Sequence, residues 1–178
     1  MSSLAKNADT LLLTGVPGIG KTTLVKKVAR ALIGRRIQGF FTEEIRSQGR
    51  RQGFHLETFD GQRIILAHTN VQSTYRLGRY GVDVMALDSI VNDALQPNPS
   101  VDLYLIDEIG KMECFSQRFQ LAITHLLESN APIVATIALK GSGFIQKIKE
   151  RPNVALLQLT RDNREDILDA FLAWTAHK

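Results

Sequence analysis

The stretch Gly15-Val16-Pro17-Gly18-Ile19-Gly20-Lys21-Thr22 constrains this chain more than any other. It satisfies the spacing G-x-x-x-x-G-K-[ST] at every fixed position, the pattern of a loop that cradles phosphates. The pattern carries meaning only between a strand and a helix. Thr10-Leu11-Leu12-Leu13 is a short apolar run of the kind a buried parallel strand shows. Beyond the loop, Leu24, Val25, Val28, Ala29 and Leu32 recur at helical spacing, and Gly34 supplies a stop. Glycines let backbone N–H groups turn toward phosphate oxygens with no Cβ in the way. The helix start adds unpaired N–H groups and the positive end of its dipole. In such a loop, a lysine at the position of Lys21 bridges the β- and γ-phosphates, and a hydroxyl at Thr22 binds Mg²⁺.

A second signal lies downstream. Leu103-Tyr104-Leu105-Ile106 is an apolar strand that ends in Asp107-Glu108. This is the Walker B arrangement, in which the strand delivers Asp107 to the magnesium site beside the phosphate loop. Glu108 is placed as a general base that takes a proton from the water attacking the γ-phosphorus. Thr136 ends the apolar run Pro132-Ile133-Val134-Ala135 and is a candidate contact to the γ-phosphate or to that water; a hydroxyl bonded locally to backbone reads equally well. Arg76 and Arg79 are candidates for neutralising charge in the transition state, with Lys111 a similar one. Glu43 and Glu44 end a strand. Side chains alternate along a strand, so one points to the site and one away, as a water-positioning or acceptor-binding group or as a surface turn. His55, His68, His125 and His177 show no metal-ligand spacing.

The remaining pattern alternates strands and helices. Arg36 to Ile45 reads as a strand, and Phe54 to Phe59 alternates apolar and polar residues. Asp60-Gly61 is a hairpin signal, and Arg63 to Ala67 returns. An antiparallel β-hairpin is thus expected where a simple βαβ unit has a helix. Residues 68–82 read as an irregular loop. Helices are expected from Val84 to Leu95 with Asp83 as cap, after Ser116, and from Arg164 to Ala176. Val154 to Leu159 is the last strand. The order implies an α/β fold with a mostly parallel sheet covered by helices on both faces.

At 178 residues, the chain is expected to form one domain, residues 1–178. No apolar run approaches the roughly 18 residues of a membrane span. Met1 to Asp9 lacks the apolar core of a secretory signal and reads as a lead-in to the first strand. The single cysteine, Cys114, excludes an internal disulfide, and a cytoplasmic location is expected. Residues 1–79 hold 13 Lys and Arg against 5 Asp and Glu, while the rest hold 9 against 13. The basic half contains the phosphate loop, which suits a polyanionic ligand, either a nucleoside triphosphate or nucleic acid.

Six strings together carry a resemblance. They are Gly15 to Thr23, Gly39 to Arg46, Arg51-Gln52-Gly53-Phe54, Gly78 to Asp83, Ile106 to Glu113, and Thr160-Arg161-Asp162-Asn163-Arg164. In this order the chain resembles the small nucleoside-triphosphatase family found in thermophiles and animals. The resemblance implies a three-layer P-loop fold with a RecA-like sheet. It implies Mg²⁺-dependent hydrolysis of ATP, GTP and other nucleoside triphosphates to diphosphate and phosphate. It places nucleotide binding at Gly15 to Thr23 and at Asp107, Glu108, Ile109 and Gly110, and it sets Asn163 and Arg164 in a late motif near the base. The segment after Thr136 departs from the family pattern by being shorter than in some relatives. Two other readings stay open at this level. One is transfer of the γ-phosphate to a nucleoside, metabolite or polynucleotide acceptor; the other is an ATPase that binds RNA or DNA. Base preference and oligomeric state are not legible.

Overall fold

A computed structural model describes residues 8–178. The expected lead-in to the first strand lies, over residues 1–7, outside the described residues.

Among the described residues the framework is a nine-stranded mixed sheet in the order β5 (Arg76–Leu77), β6 (Tyr80–Val82), β4 (Arg63–His68), β3 (Arg50–Thr58), β2 (Ile37–Ser47), β7 (Leu103–Ile109), β8 (Ile133–Ile137), β1 (Thr10–Thr14) and β9 (Val154–Gln158). Its parallel part contains β1 (Thr10–Thr14), β2 (Ile37–Ser47), β7 (Leu103–Ile109), β8 (Ile133–Ile137) and β9 (Val154–Gln158). Every residue of β1 and β8 is buried, which is why both read as unbroken apolar runs. Alternation along each strand sorts the core into two halves. Leu11 and Leu13 of β1, with Leu103 and Leu105 of β7, face helices α1 (Lys21–Ala31) and α5 (Arg164–Thr175). Leu12, Tyr104 and Ile106 face the other way, toward α2 (Val84–Leu95) and α3 (Gln117–Glu128). The short helix α4 (Phe144–Lys149) adds Ile145 and Ile148 to that second half.

The expected caps are formed. The Asp83 carboxylate accepts from the Ala86 amide at 2.9 Å, and Ser116 Oγ accepts from the Phe119 amide at 2.9 Å.

The antiparallel part is larger than the sequence pattern suggests. The hairpin at Asp60-Gly61 joins β3 (Arg50–Thr58) to β4 (Arg63–His68) as expected. But β2 does not stop where its parallel pairing with β7 ends at Phe40. It runs on to Ser47 as the antiparallel partner of β3. The stretch expected to be irregular, residues 68–82, contains a further small hairpin of β5 (Arg76–Leu77) and β6 (Tyr80–Val82), which pairs with β4. Two- and three-residue strands are too short for periodicity to reveal.

Two carboxylates are buried among the described residues, Asp107 and Glu113. Glu113 opens the 3₁₀ turn Glu113–Phe115 after β7 and is 1 % exposed. Burial pushes its carboxyl up to about 8; hydrogen bonds from its own and the Gly110 amide oppose this, while Glu108 and Asp107 add to it. The folded state therefore holds a proton that the unfolded chain releases in the usual glutamate range. Stability then falls by about 1.4 kcal/mol per pH unit as pH rises from that range toward 8. Glu113→Gln removes the ionisation. Denaturant unfolding at pH 8 is expected to show the variant more stable than wild type, with the difference shrinking as pH falls toward 4.5. A difference that stays constant with pH would count against a protonated Glu113.

Candidate active site

The phosphate loop connects the buried end of β1 to α1. Gly20 caps the helix in a left-handed conformation, φ 103°, with no side-chain hydrogen bond to the first turn. The leading N–H groups of α1 are thus left for a ligand. Gly18 is also left-handed, φ 76°. The loop is braced from outside. Arg164 Nη2, at the start of α5, donates to the Ile19 carbonyl at 2.7 Å. Ile19 itself is buried beneath the loop, while Val16 is half exposed.

Lys21 folds back over this loop. Its Nζ donates to the Gly15 carbonyl at 3.3 Å and lies 3.5 Å from Glu108 Oε2. Asp107 is 1 % exposed at the carboxyl end of β7. Its Oδ1 accepts from Thr136 Oγ1 at 2.6 Å, whereas its Oδ2 is buried with no hydrogen-bond partner among the described residues. Burial raises the Asp107 carboxyl; the Thr136 and Thr22 hydroxyls, the Lys21 ammonium and the Thr42 amide pull it down. These groups bring the phosphate loop, β2, β7 and β8 to one carboxylate. Glu108 is also raised, first by burial; Lys21 lowers it and Asp107 raises it further.

Lys21, Thr22, Thr42 and Glu108 border a cleft of about 1120 Å³. One wall is the loop from Gly15 to Thr23 with Lys21 and Glu108; the opposite wall is the antiparallel extension, with Glu44, Arg51 and Phe54. Glu43 and Glu44 both reach the cleft, but each is already paired. Glu43 binds Lys26, with Arg63 at 3.8 Å, and Glu44 binds Arg46 at 2.6 Å and Arg51 at 2.9 Å. Both carboxyl groups are lowered, each chiefly by the hydrogen bond from its partner, Lys26 or Arg51.

Several sequence candidates sit elsewhere. Arg76 and Arg79 do not border the cleft. The Arg76 guanidinium donates to the Arg79 carbonyl at 3.1 Å, and that of Arg79 donates to the Arg51 carbonyl and lies over the Tyr80 ring. Arg51 is the arginine on the cleft wall, held by the Tyr80 hydroxyl at 3.1 Å and stacked on Phe54. Its place depends on the register of β2 against β3, which no linear motif encodes. The Thr136 side chain is fully buried and turned to Asp107, not to the cleft. Ile109 is core, opposite Ile137. Asn163 closes the turn before α5, donating to the Gln158 carbonyl at 2.9 Å and accepting from the Thr160 amide at 2.8 Å. Lys111 does border the cleft. Among the described residues no cluster of three His, Cys, Asp or Glu side chains is placed to hold a metal by itself.

Comparison with known proteins agrees with this geometry. A family model described as NTPase matches residues 10–172. Nucleoside-triphosphatase THEP1 of a Thermotoga species is 42 % identical over 164 residues, covering 92 % of this chain and 93 % of that protein. The crystal structure of THEP1 from Aquifex aeolicus superposes with a TM-score of 0.77 at 35 % identity, covering 92 % of this chain and 97 % of that one. The solution structure of a human cancer-related nucleoside triphosphatase gives 0.79 at 34 % identity, with 92 % and 95 % covered. With a phosphate loop facing a buried Asp107 and a cleft-lining Glu108, the chain belongs to this family of P-loop nucleoside-triphosphatases.

Proposed function

We propose that the loop from Gly15 to Thr23 and Lys21 hold the triphosphate and that Glu108 activates the attacking water. The observation that carries this reading is the 3.5 Å approach of Lys21 Nζ to Glu108 Oε2 at the cleft. A cation suited to the β- and γ-phosphates and a carboxylate suited to water converge on one point. A triphosphate gives Lys21 a new anionic partner. When Lys21 turns to it, Glu108 loses its counter-ion and is free to accept a proton. Burial has already moved Glu108 upward, toward the pH at which a general base works best. The water oxygen then bonds to the γ-phosphorus, the bond to the β-bridging oxygen breaks, and the water proton passes to Glu108. The products are diphosphate and phosphate.

Thr22 and Asp107 suit a magnesium ion. Asp107 Oδ2 is a buried oxygen without a donor, and the Thr22 hydroxyl acts on the same carboxylate. Mg²⁺ takes one or two protein oxygens and completes its shell with water and phosphate. Bound there, it would supply positive charge to the β- and γ-phosphate oxygens. Thr136 serves by holding Asp107. Arg164 serves by holding the loop, and Arg51 is the arginine placed to meet charge from the opposite wall. The phosphotransfer reading gains no support, because Glu43 and Glu44 are committed to ion pairs. None of the described helices is long and apolar enough to cross a membrane, which fits work on free nucleotides in the cytoplasm. Contacts that serve only phosphates favour broad base tolerance.

Phosphate release from GTP and ATP tests these roles. Glu108→Gln is expected to cut kcat by about 10²–10⁴-fold while the variant still binds nucleotide. Lys21→Ala is expected to weaken binding as well. Wild-type rates in either variant would remove that residue from the site. Chelation of Mg²⁺ is expected to stop release, and Asp107→Asn to raise the Mg²⁺ concentration needed for half-maximal rate; an unchanged Mg²⁺ dependence would exclude Asp107 from the metal site.

A further inference from the structure

Glu113 has no part in that chemistry, yet its carboxyl and that of Glu108 approach the same backbone position, Gly110. After β7 the chain turns through Gly110, Lys111 and Met112 into the 3₁₀ turn. Backbone bonds close that turn, with the Cys114 amide on the Gly110 carbonyl at 3.1 Å and the Ser116 amide on the Glu113 carbonyl at 3.0 Å. The Glu113 side chain then folds back toward the start of the turn. A Cβ on Gly110 would lie 2.8 Å from Glu113 Oε2 and 3.3 Å from Glu108 Oε1. Two carboxyl groups therefore flank one backbone position, and glycine is the residue that leaves room for both. The other oxygen of Glu108, Oε2, lies 3.5 Å from Lys21 Nζ.

A carboxyl is a costly way to fill buried space, since an apolar group of similar volume pays no desolvation. Here it is buried next to the cleft, where Gly110 and Glu113 both form part of the lining. We propose that Glu113 is a positioning residue of the hydrolytic site: its carboxyl braces the turn at Gly110 and so sets where Glu108 stands. This rests on Glu108 being the base. Burial pushes this carboxyl up to about 8, so an uncharged carboxamide of the same shape is its conservative replacement. Loss of the brace leaves the phosphate loop intact and lets Glu108 drift from the attacking water. A misplacement of about 1 Å can cost on the order of 10²-fold in rate.

Steady-state phosphate release from Mg²⁺-GTP, with melting curves for each variant, tests the inference. Glu113→Ala and Gly110→Ala are expected to lower kcat at least about tenfold while KM stays within about twofold of wild type. Glu113→Gln is expected to restore most of kcat. Should Glu113→Ala fail to fold, Glu113→Met fills the same space without the carboxyl and takes its place. A wild-type kcat in the Ala or Met variant overturns the inference. So does a loss in Glu113→Gln as deep as in Glu113→Ala, which would make the ionised carboxylate itself a participant. Glu108→Gln run alongside separates the two levels. If it is inactive while Glu113→Ala is normal, only the positioning role falls; if it hydrolyses at the wild-type rate, the base assignment falls and this inference with it.

Discussion

One buried carboxylate organises the site. Asp107 sits almost without exposure at the end of β7, where an unpaired charge would not be tolerated. Its hydrogen bond comes from the Thr136 hydroxyl on β8, while Thr22 and Lys21 at the start of α1 and Thr42 on β2 favour its charged form. Those partners meet only because β2, β7, β8 and β1 lie side by side in the sheet. The strand order thus brings the phosphate loop to this buried carboxylate. One of its oxygens has no donor among the described residues.

The second half of the site comes from an unusual use of one strand. β2 begins as a parallel partner of β7 and continues beyond that pairing as an antiparallel partner of β3. Its extra length lifts Glu44, and β3 lifts Arg51 and Phe54, into a wall facing the phosphate loop. Arg51 is fixed there by Glu44, the Tyr80 hydroxyl and the Phe54 ring. The small β5–β6 hairpin supplies Tyr80 and so buttresses a residue well removed from it in sequence.

Features governed by local physics are the ones legible in the sequence. The loop glycines, the apolar run of β1, the caps at Asp83 and Ser116 and the Asp60-Gly61 turn all depend on neighbours within a few residues, and each is found as expected. Long-range geometry was not legible. Arg76 and Arg79 share a loop with family-like residues, yet their guanidinium groups spend their donors on backbone carbonyls. Thr136 lies beside Asp107, so its hydroxyl points into the core. Arg164 braces Ile19 from the far end of the chain, a contact between residues 145 apart in sequence.

A phosphate-binding loop between a buried strand and a helix, and a carboxylate pair at the end of another buried strand, are legible in the residues alone. Those features rest on backbone conformation and apolar periodicity, which are properties of short segments. Packing of the distant elements pairs Asp107 with Thr136 and sets Lys21 within ion-pair distance of Glu108. It also brings Arg51, not Arg76 or Arg79, to the cleft wall, and the carboxyls of Glu108 and Glu113 to either side of Gly110. Each of those contacts depends on strand order and register, and register is set by packing of the whole sheet.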